Sequence, residues 1–120
     1  MKYTKEKLMA LTSVHHKQKN TEVSYKILDG EMLNQIYPET FFIPPRQVRE
    51  NIPLGTDVKL VFDIHAEHVD CAERMWVTVT DKSGDHYVGQ LNNNPLCTKK
   101  LKAGAEIIFR TENIIDIFGS

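Results

Sequence analysis

Residues 73–91 read ERMWVTVTDKSGDHYVGQL, and this stretch decides the fold. Apolar and polar residues alternate from Arg74 to Thr80, and a turn around Gly84 separates this segment from the short run His86–Leu91, which predicts two strands joined as a hairpin. Met75 and Val77 then face one side of the first strand, and Trp76 faces the other. Short strands joined this tightly are typical of a small closed β-barrel rather than a helical or doubly wound domain.

The segments outside this hairpin continue the strand pattern in both directions. The clearest further strand is 58–64, where apolar residues face inward and charged residues face water. Shorter strand patterns lie at 22–27, 101–110 and 113–117. Residues 65–72 are mostly polar and predict a loop.

The N-terminal part of the chain mixes helical and extended patterns. Residues 4–19 have apolar side chains at helical spacing and predict a helix. Residues 31–37 predict a short helix that Pro38 ends, because proline lacks an amide hydrogen and restricts the residue before it. A further short helix is predicted over 46–52, directly after Pro45.

Taken together, these patterns predict an α+β fold in a single domain spanning residues 1–120. Its centre is a small SH3-like β-barrel over 54–120. Residues 1–53 form an extension, an N-terminal helix, a strand and an extended arm, that packs on the barrel.

Composition limits the classes of function that the chain can serve. With 41% hydrophobic and 26% charged residues, its 120 residues have an ordinary globular composition, which argues against disorder. The formal net charge of -1 lacks the basic excess of a general nucleic-acid binder. The N-terminal apolar run is too short for a signal peptide or a membrane span, so we expect a soluble cytoplasmic protein.

The chain has two cysteines, Cys71 and Cys97. One pair in a chain of this length does not make a disulfide framework, so the sequence predicts reduced thiols.

Four segments taken in order resemble a small bacterial family, domain of unknown function 2314. They are 73–77, 89–95, 101–109 and 114–117, preceded by a similar lead-in from Phe42 to Phe62. The resemblance covers residues 40–118. It implies bacterial origin and a small β-rich domain that occurs alone or beside protein-interaction repeats such as ankyrins, and it supplies no activity, cofactor or catalytic residue.

The chain departs from that family at two positions. Asn92 stands where the family usually carries an acidic residue, and Asn94 stands where it often carries another. Two amides bind a cation or a basic partner more weakly than two carboxylates do, so this departure weakens any role of the loop that depends on charge.

Six residues are the candidate binding site. A tryptophan on a sheet face shared with an arginine offers a large contact area at low entropy cost. The N-terminal helix or the 41–42 segment can instead cover that face and make the tryptophan part of the core, and the sequence favours this second interpretation. Asparagine amides offer both donors and acceptors, although a plain turn between strands is the favoured interpretation of such a run. Because the hairpin brings the end of its second strand back beside its first, we expect this tryptophan and arginine to lie next to the asparagine loop. The residues are Arg74, Trp76, Asn92, Asn93, Asn94 and Pro95.

A weaker candidate is a metal site. His65, His68 and Cys71 recur at spacings of three and carry ligands that zinc accepts. A second pair of ligands is absent, so a solvated loop with two titrating histidines is the favoured interpretation and no metal is expected.

The sequence therefore favours a non-catalytic module that binds a protein or peptide of unknown identity, with no cofactor and no membrane contact. Nucleic-acid binding through the barrel face is the alternative, and the near-neutral charge makes it the weaker one. A small metal-binding enzyme ranks third, since no strained Gly-flanked nucleophile, phosphate loop or paired catalytic carboxylates are visible.

Overall fold

A computed structural model describes residues 16–17, 23–66 and 68–119 of the chain. This part of the chain forms one antiparallel sheet of seven strands with two short α-helices and a 3-10 turn. The strands are β1 (His16–Lys17), β2 (Val23–Ile27), β3 (Asp57–Ala66), β4 (Val69–Ser83), β5 (His86–Leu91), β6 (Glu106–Arg110) and β7 (Asp116–Ile117). The helices are α1 (Gly30–Ile36) and α2 (Arg46–Arg49), and the 3-10 turn spans Thr111–Asn113.

The sheet curls into a nearly closed barrel. The strands from β1 to β6 pair in sequence order, each antiparallel to the next. After the 3-10 turn the chain returns to the other edge of β3, where Ile117 of β7 pairs with Val58. This last pairing brings the chain that follows β6 back onto β3, and the inward side chains of the strands enclose one core.

The core is filled by the inward side chains of the long strands. Leu60, Phe62 and Ile64 of β3 are fully buried, as their alternation with polar residues predicts. Tyr87 stacks on Phe109 with ring centroids 5.4 Å apart. The small barrel and the mixed α and β content therefore confirm the coarse fold prediction.

Three segments differ from their predictions. The strand predicted over 101–110 is limited to Glu106–Arg110, and the one predicted over 113–117 is limited to Asp116–Ile117. The loop predicted over 65–72 is mostly strand in its described residues, because β3 continues to Ala66 and β4 begins at Val69, with Ile64 paired to Cys71. This end of the hairpin faces water, so its strands can carry polar side chains. The same polar side chains made the sequence look like a loop. The predicted loop is wrong, and the hairpin is longer than the alternation of apolar residues indicated.

The N-terminal predictions have mixed outcomes. The strand at 22–27 is confirmed as β2, and the helix at 31–37 is confirmed as α1. Asp29 caps α1, since its Oδ1 accepts a hydrogen bond of 3.0 Å from the amide of Met32. Of the helix predicted over 4–19, only 16–17 are described, and these pair with β2 as a strand because their backbone completes its open edge. The rest of that predicted helix lies outside the described residues.

The helix after Pro45 is confirmed but is shorter than predicted, and its last residue fixes the arm to the barrel. Arg49 is 3% exposed. Its Nε donates to the carbonyl of Pro44 at 2.7 Å, and one terminal nitrogen donates to Glu31 Oε2 at 2.8 Å and to the Thr111 carbonyl at 3.0 Å. The hydroxyl of Tyr87 donates to the Arg49 carbonyl at 2.7 Å. We call this set of contacts the arginine junction.

The prediction of reduced thiols is wrong for this structure, because a disulfide joins Cys71 and Cys97. Cys71 lies near the start of β4, and Cys97 lies in the loop after β5. Their Cα atoms are 6.7 Å apart, within the range that a disulfide spans. The long hairpin brings the two residues together, and the sequence alone gave no indication of that proximity.

Candidate interaction surface

The outer face of β3 and β4 carries the residues that the sequence indicated as a contact site. Strand alternation turns Lys59 and Val61 of β3 outward, and the register places them opposite Trp76 and Arg74 of β4. Side chains paired across two strands in this way lie within reach of each other. The pairing therefore gathers cations and an aromatic ring on one patch of the barrel.

Trp76 is half-buried within this patch. The Nζ of Lys59 lies 4.7 Å from the centre of its ring system, which is a cation–π contact. The ring of Phe118 meets it edge-on, with centroids 5.8 Å apart. Phe118 itself is 71% exposed. Trp76 is thus framed by two neighbours and retains exposed surface.

Arg74 forms the second half of the patch. Its guanidinium carbon lies 5.1 Å from the ring centre of Phe41, so the cation again stacks on an aromatic side chain. Arg74 is exposed, and the neighbouring Phe42 is 74% exposed. Within the part of the chain that the structure describes, neither Arg74 nor Lys59 forms an ion pair or a side-chain hydrogen bond.

We call Phe41, Lys59, Arg74, Trp76 and Phe118 the cationic–aromatic strip. Two adjoining grooves border it and share Thr40, Phe41 and Arg74 in their walls. One groove, of about 360 Å³, also reaches Lys59 and Asp116. The other, of about 480 Å³, extends to Leu33, Tyr37, Val61 and Ala72. The strip therefore borders concave surface of a size that accommodates several side chains.

The loop at 92–95 lies against the strip, as predicted for Trp76. Asn93 Oδ1 accepts a hydrogen bond of 2.6 Å from the backbone amide of Trp76. The backbone amide of Asn92 donates to the Trp76 carbonyl at 2.9 Å. Among the described residues, the Arg74 side chain forms no hydrogen bond or ion pair with the loop. Its guanidinium stacks on Phe41 instead. The predicted adjacency is therefore confirmed for the tryptophan.

Each asparagine of this loop makes one side-chain contact within the protein. Asn94 Oδ1 accepts from the amide of Ala103 at 3.0 Å, Asn92 Nδ2 lies 3.4 Å from Asp57 Oδ2, and Pro95 is buried. Together with the Asn93 bond, these contacts make the segment a braced turn. Its role is to support Trp76, and recognition through Asn92, Asn93, Asn94 and Pro95 remains a proposal.

Two strip residues, Phe41 and Phe118, were not identified as contact residues from the sequence. Lys59 is one of the charged residues of 58–64 that were predicted to face water. A cation on the outer face of a strand is ordinary. Only the register that places Lys59 opposite Trp76 distinguishes it, and register is not visible in the sequence.

The candidate metal ligands do not converge in the described residues. His65 Nδ1 lies 2.8 Å from Asp70 Oδ1, and its Nε2 lies 3.5 Å from Asp63 Oδ2. The hydrogen bond that His65 donates to the Asp70 carboxylate, helped by the charge of Asp63, raises the pKa of His65 above its ordinary value. His68 is exposed, and Cys71 lies instead beside Glu73 and Cys97.

Comparisons with known proteins leave one informative match. Neither the curated proteins nor the solved structures gave a match to the chain. None of the described helices is long and apolar enough to cross a membrane. A family model matches residues 35–118, close to the 40–118 over which the resemblance was predicted. Since that match covers more than half of the chain, the chain belongs to the family described as uncharacterized proteins conserved in bacteria, domain of unknown function 2314.

Proposed function

We propose that this protein is a non-catalytic interaction module whose cationic–aromatic strip binds a peptide segment or a protein surface. One observation carries the proposal. Lys59 and Arg74 stack on Trp76 and Phe41, respectively, and form no ion pair with any described residue. A partner carboxylate can therefore pair with each cation without breaking an internal contact.

The chemistry of the strip favours a partner with both acidic and apolar side chains. An arginine presents a planar fork that matches a carboxylate, and such charge-assisted bonds are stronger than neutral ones. Exposed Phe42 and Phe118 add apolar area on either side of the cations. Tryptophan and arginine are the residues that most often dominate the binding energy of protein interfaces.

The wider fold supports an interaction role by analogy only, because one fold serves many functions. We propose that residues 54–120 form an SH3-like barrel with residues 1–53 as its extension in a single domain. The support is that a 3-10 turn precedes the last strand, which returns to pair with the first long strand. We also propose a cytoplasmic location in a bacterial cell, since the family is bacterial.

Nucleic acid is the less suitable ligand for the same surface. Asp57 occupies the outward position of β3 next to Lys59, and Asp63 lies two outward positions away on the other side. Asp116 lies opposite Lys59 in the register with β7. These carboxylates reduce the positive potential that a phosphate backbone requires. The formal net charge of -1 acts in the same direction.

The test is a selection followed by a titration. A phage-displayed library of random peptides is selected on the purified protein, and enriched peptides are labelled and titrated by fluorescence anisotropy. We expect peptides that contain acidic and apolar residues. Trp76→Ala should raise their Kd about ten-fold or more, as loss of an interface tryptophan does.

A matched control removes an exposed apolar side chain elsewhere. Val48 of α2 is 45% exposed and lies outside the strip, so Val48→Ala should leave the Kd unchanged. Selected peptides that bind Trp76→Ala as tightly as wild type would refute the proposed surface. Tight, salt-sensitive binding of single-stranded DNA or RNA that is lost in Trp76→Ala would replace it with the nucleic-acid alternative.

A further inference from the structure

A separate cluster lies on the inner side of β4, away from the strip. Cys71, Glu73 and Cys97 each direct one ligand atom to the same place, and these atoms all lie within 4.8 Å of one another. All three side chains are half-buried. The cluster joins the beginning of β4 to the loop between β5 and β6.

The carboxylate of Glu73 is held in position by backbone amides of that loop. The amide of Leu96 donates to Oε1 at 3.0 Å and to Oε2 at 2.9 Å, and the amide of Cys97 donates to Oε2 at 2.9 Å. Oε2 lies 4.0 Å from the sulfur of Cys71. These bonds orient the carboxylate beside both sulfurs.

A fixed carboxylate is an unusual neighbour for a pair of thiols. Within the described residues, the cluster lacks the electropositive surroundings of a reactive cysteine. Two cysteine sulfurs and a carboxylate oxygen are instead a set of ligands that zinc accepts.

We propose that the reduced protein binds one zinc ion through Cys71, Cys97 and Glu73. A cellular dithiol supplies two electrons and two protons to the disulfide, which becomes two thiols while the dithiol becomes a disulfide. Zinc then replaces the two thiol protons, which leave to solvent. Sulfur and carboxylate oxygen are both ordinary zinc ligands, and water completes four-coordination.

The backbone spacing suits this exchange. In a tetrahedral site two sulfurs bound to one zinc ion lie about 3.8 Å apart, as zinc–sulfur bonds of about 2.3 Å require. The Cα atoms of Cys71 and Cys97 are 6.7 Å apart, at the upper end of the range for a disulfide. The sulfurs can therefore separate by side-chain rotation, and the metal takes over the tether between β4 and the loop.

The test uses cobalt as a spectroscopic substitute for zinc. The full chain is reduced with a dithiol, freed of it by gel filtration in oxygen-free buffer, and titrated with Co²⁺. We expect saturation at one ion per chain, with intense near-ultraviolet absorption from sulfur-to-cobalt charge transfer. Zinc should displace the cobalt and bleach the spectrum. The oxidised protein should show no such absorption.

Variants assign the ligands. Cys97→Ser and Glu73→Gln should each raise the Kd for zinc at least ten-fold, since even residues that only orient metal ligands affect affinity about 10–100-fold. His68→Ala should leave the Kd unchanged and so separates this site from the histidine cluster. If Cys97→Ser fails to fold, the wild-type spectrum and Glu73→Gln still decide the result. A reduced wild-type protein without charge-transfer absorption, or a Kd that Glu73→Gln leaves unchanged, overturns the proposal.

Discussion

Two arginines of this protein, Arg49 and Arg74, occupy opposite environments. Arg49 is 3% exposed, and its donors reach two backbone carbonyls and the carboxylate of Glu31. Arg74 is exposed, and its described contact is the face of Phe41. Each lies beside an aromatic residue, since Tyr87 donates to the Arg49 carbonyl. The two side chains are chemically the same. The Arg49 guanidinium donates hydrogen bonds to three described acceptors, whereas the described contact of Arg74 is the face of an aromatic ring.

This difference separates stability from binding. A buried cation whose partners are all internal contributes to the folded state, and its removal leaves buried acceptors unpaired. An exposed cation that stacks on an aromatic ring contributes little to folding and keeps its donors available. We therefore assign the arginine junction to the stability of the fold and the cationic–aromatic strip to recognition.

The largest expected effect is at the arginine junction. Arg49→Ala removes the donors to Pro44, Glu31 and Thr111 and should lower the free energy of unfolding by about 3 kcal/mol, as breaking a buried ion pair does. Urea unfolding followed by circular dichroism measures it. A loss below about 0.5 kcal/mol, the range of ordinary surface substitutions, would show that the junction does not stabilise the arm.

A smaller loss is expected where the loop supports the strip. Asn93→Ala removes the acceptor of the Trp76 amide and should cost about 1–2 kcal/mol, since that amide is left without its partner. Asn92→Ala is the matched control, because its side chain is exposed and makes only a 3.4 Å contact with Asp57. Equal losses of unfolding free energy in the two variants would contradict the assignment of Asn93 as the brace.

The junction should also respond to pH through Glu31. Burial raises the pKa of this carboxyl, but hydrogen bonds and charges from Arg49 and Arg46 outweigh it, so the folded pKa lies below the ordinary 4.5. A depressed pKa contributes stability above the unfolded value, and this contribution is lost as pH falls through the folded value. Glu31→Gln should therefore lower the unfolding free energy by about 1 kcal/mol at neutral pH, the worth of an ordinary hydrogen bond.

The comparison is made as a pH series. The difference in unfolding free energy between wild type and Glu31→Gln should shrink steadily as the pH is lowered below 4.5, because the wild-type carboxyl becomes neutral like the amide. A difference that stays constant down to the acid-unfolding limit would mean that the charge of Glu31 does not contribute to the junction.

The smallest effect on stability is expected on the strip. Lys59→Ala removes a cation that contacts Trp76 at the protein surface and should change the unfolding free energy by less than about 0.5 kcal/mol. Lys26→Ala, an exposed lysine of β2, provides the reference for an ordinary surface lysine. A loss above about 1 kcal/mol for Lys59→Ala alone would show that the strip is part of the stabilising framework.

The sequence predicted the strands better than it predicted what joins them. Alternation located β2 and the centre of β3, because their inward residues are apolar and buried while most outward residues are polar. The turn around Gly84 located β5, although five of its six residues are buried. Alternation failed at residues 65–72, where both faces carry polar groups and the period is hidden. Backbone pairing still continues there, since hydrogen bonds between strands do not require apolar side chains.

The candidate site was predictable only in part. Trp76 and the loop at 92–95 follow from the hairpin, because its geometry fixes which ends meet. Phe118 and Phe41 reach the strip from distant parts of the chain, through the pairing of β7 with β3 and through the arm. Contacts between segments so far apart depend on register and packing, which a single sequence does not reveal.

Two measurements on Arg74→Ala test whether Arg74 serves binding while Arg49 serves stability. These are its Kd for a peptide selected on the wild-type protein and its free energy of unfolding. We predict a Kd about ten-fold higher than wild type, because the guanidinium pairs with the partner, and an unfolding free energy within about 0.5 kcal/mol of wild type. An unchanged Kd, or a loss of stability as large as that of Arg49→Ala, would contradict the assignment of the strip to recognition.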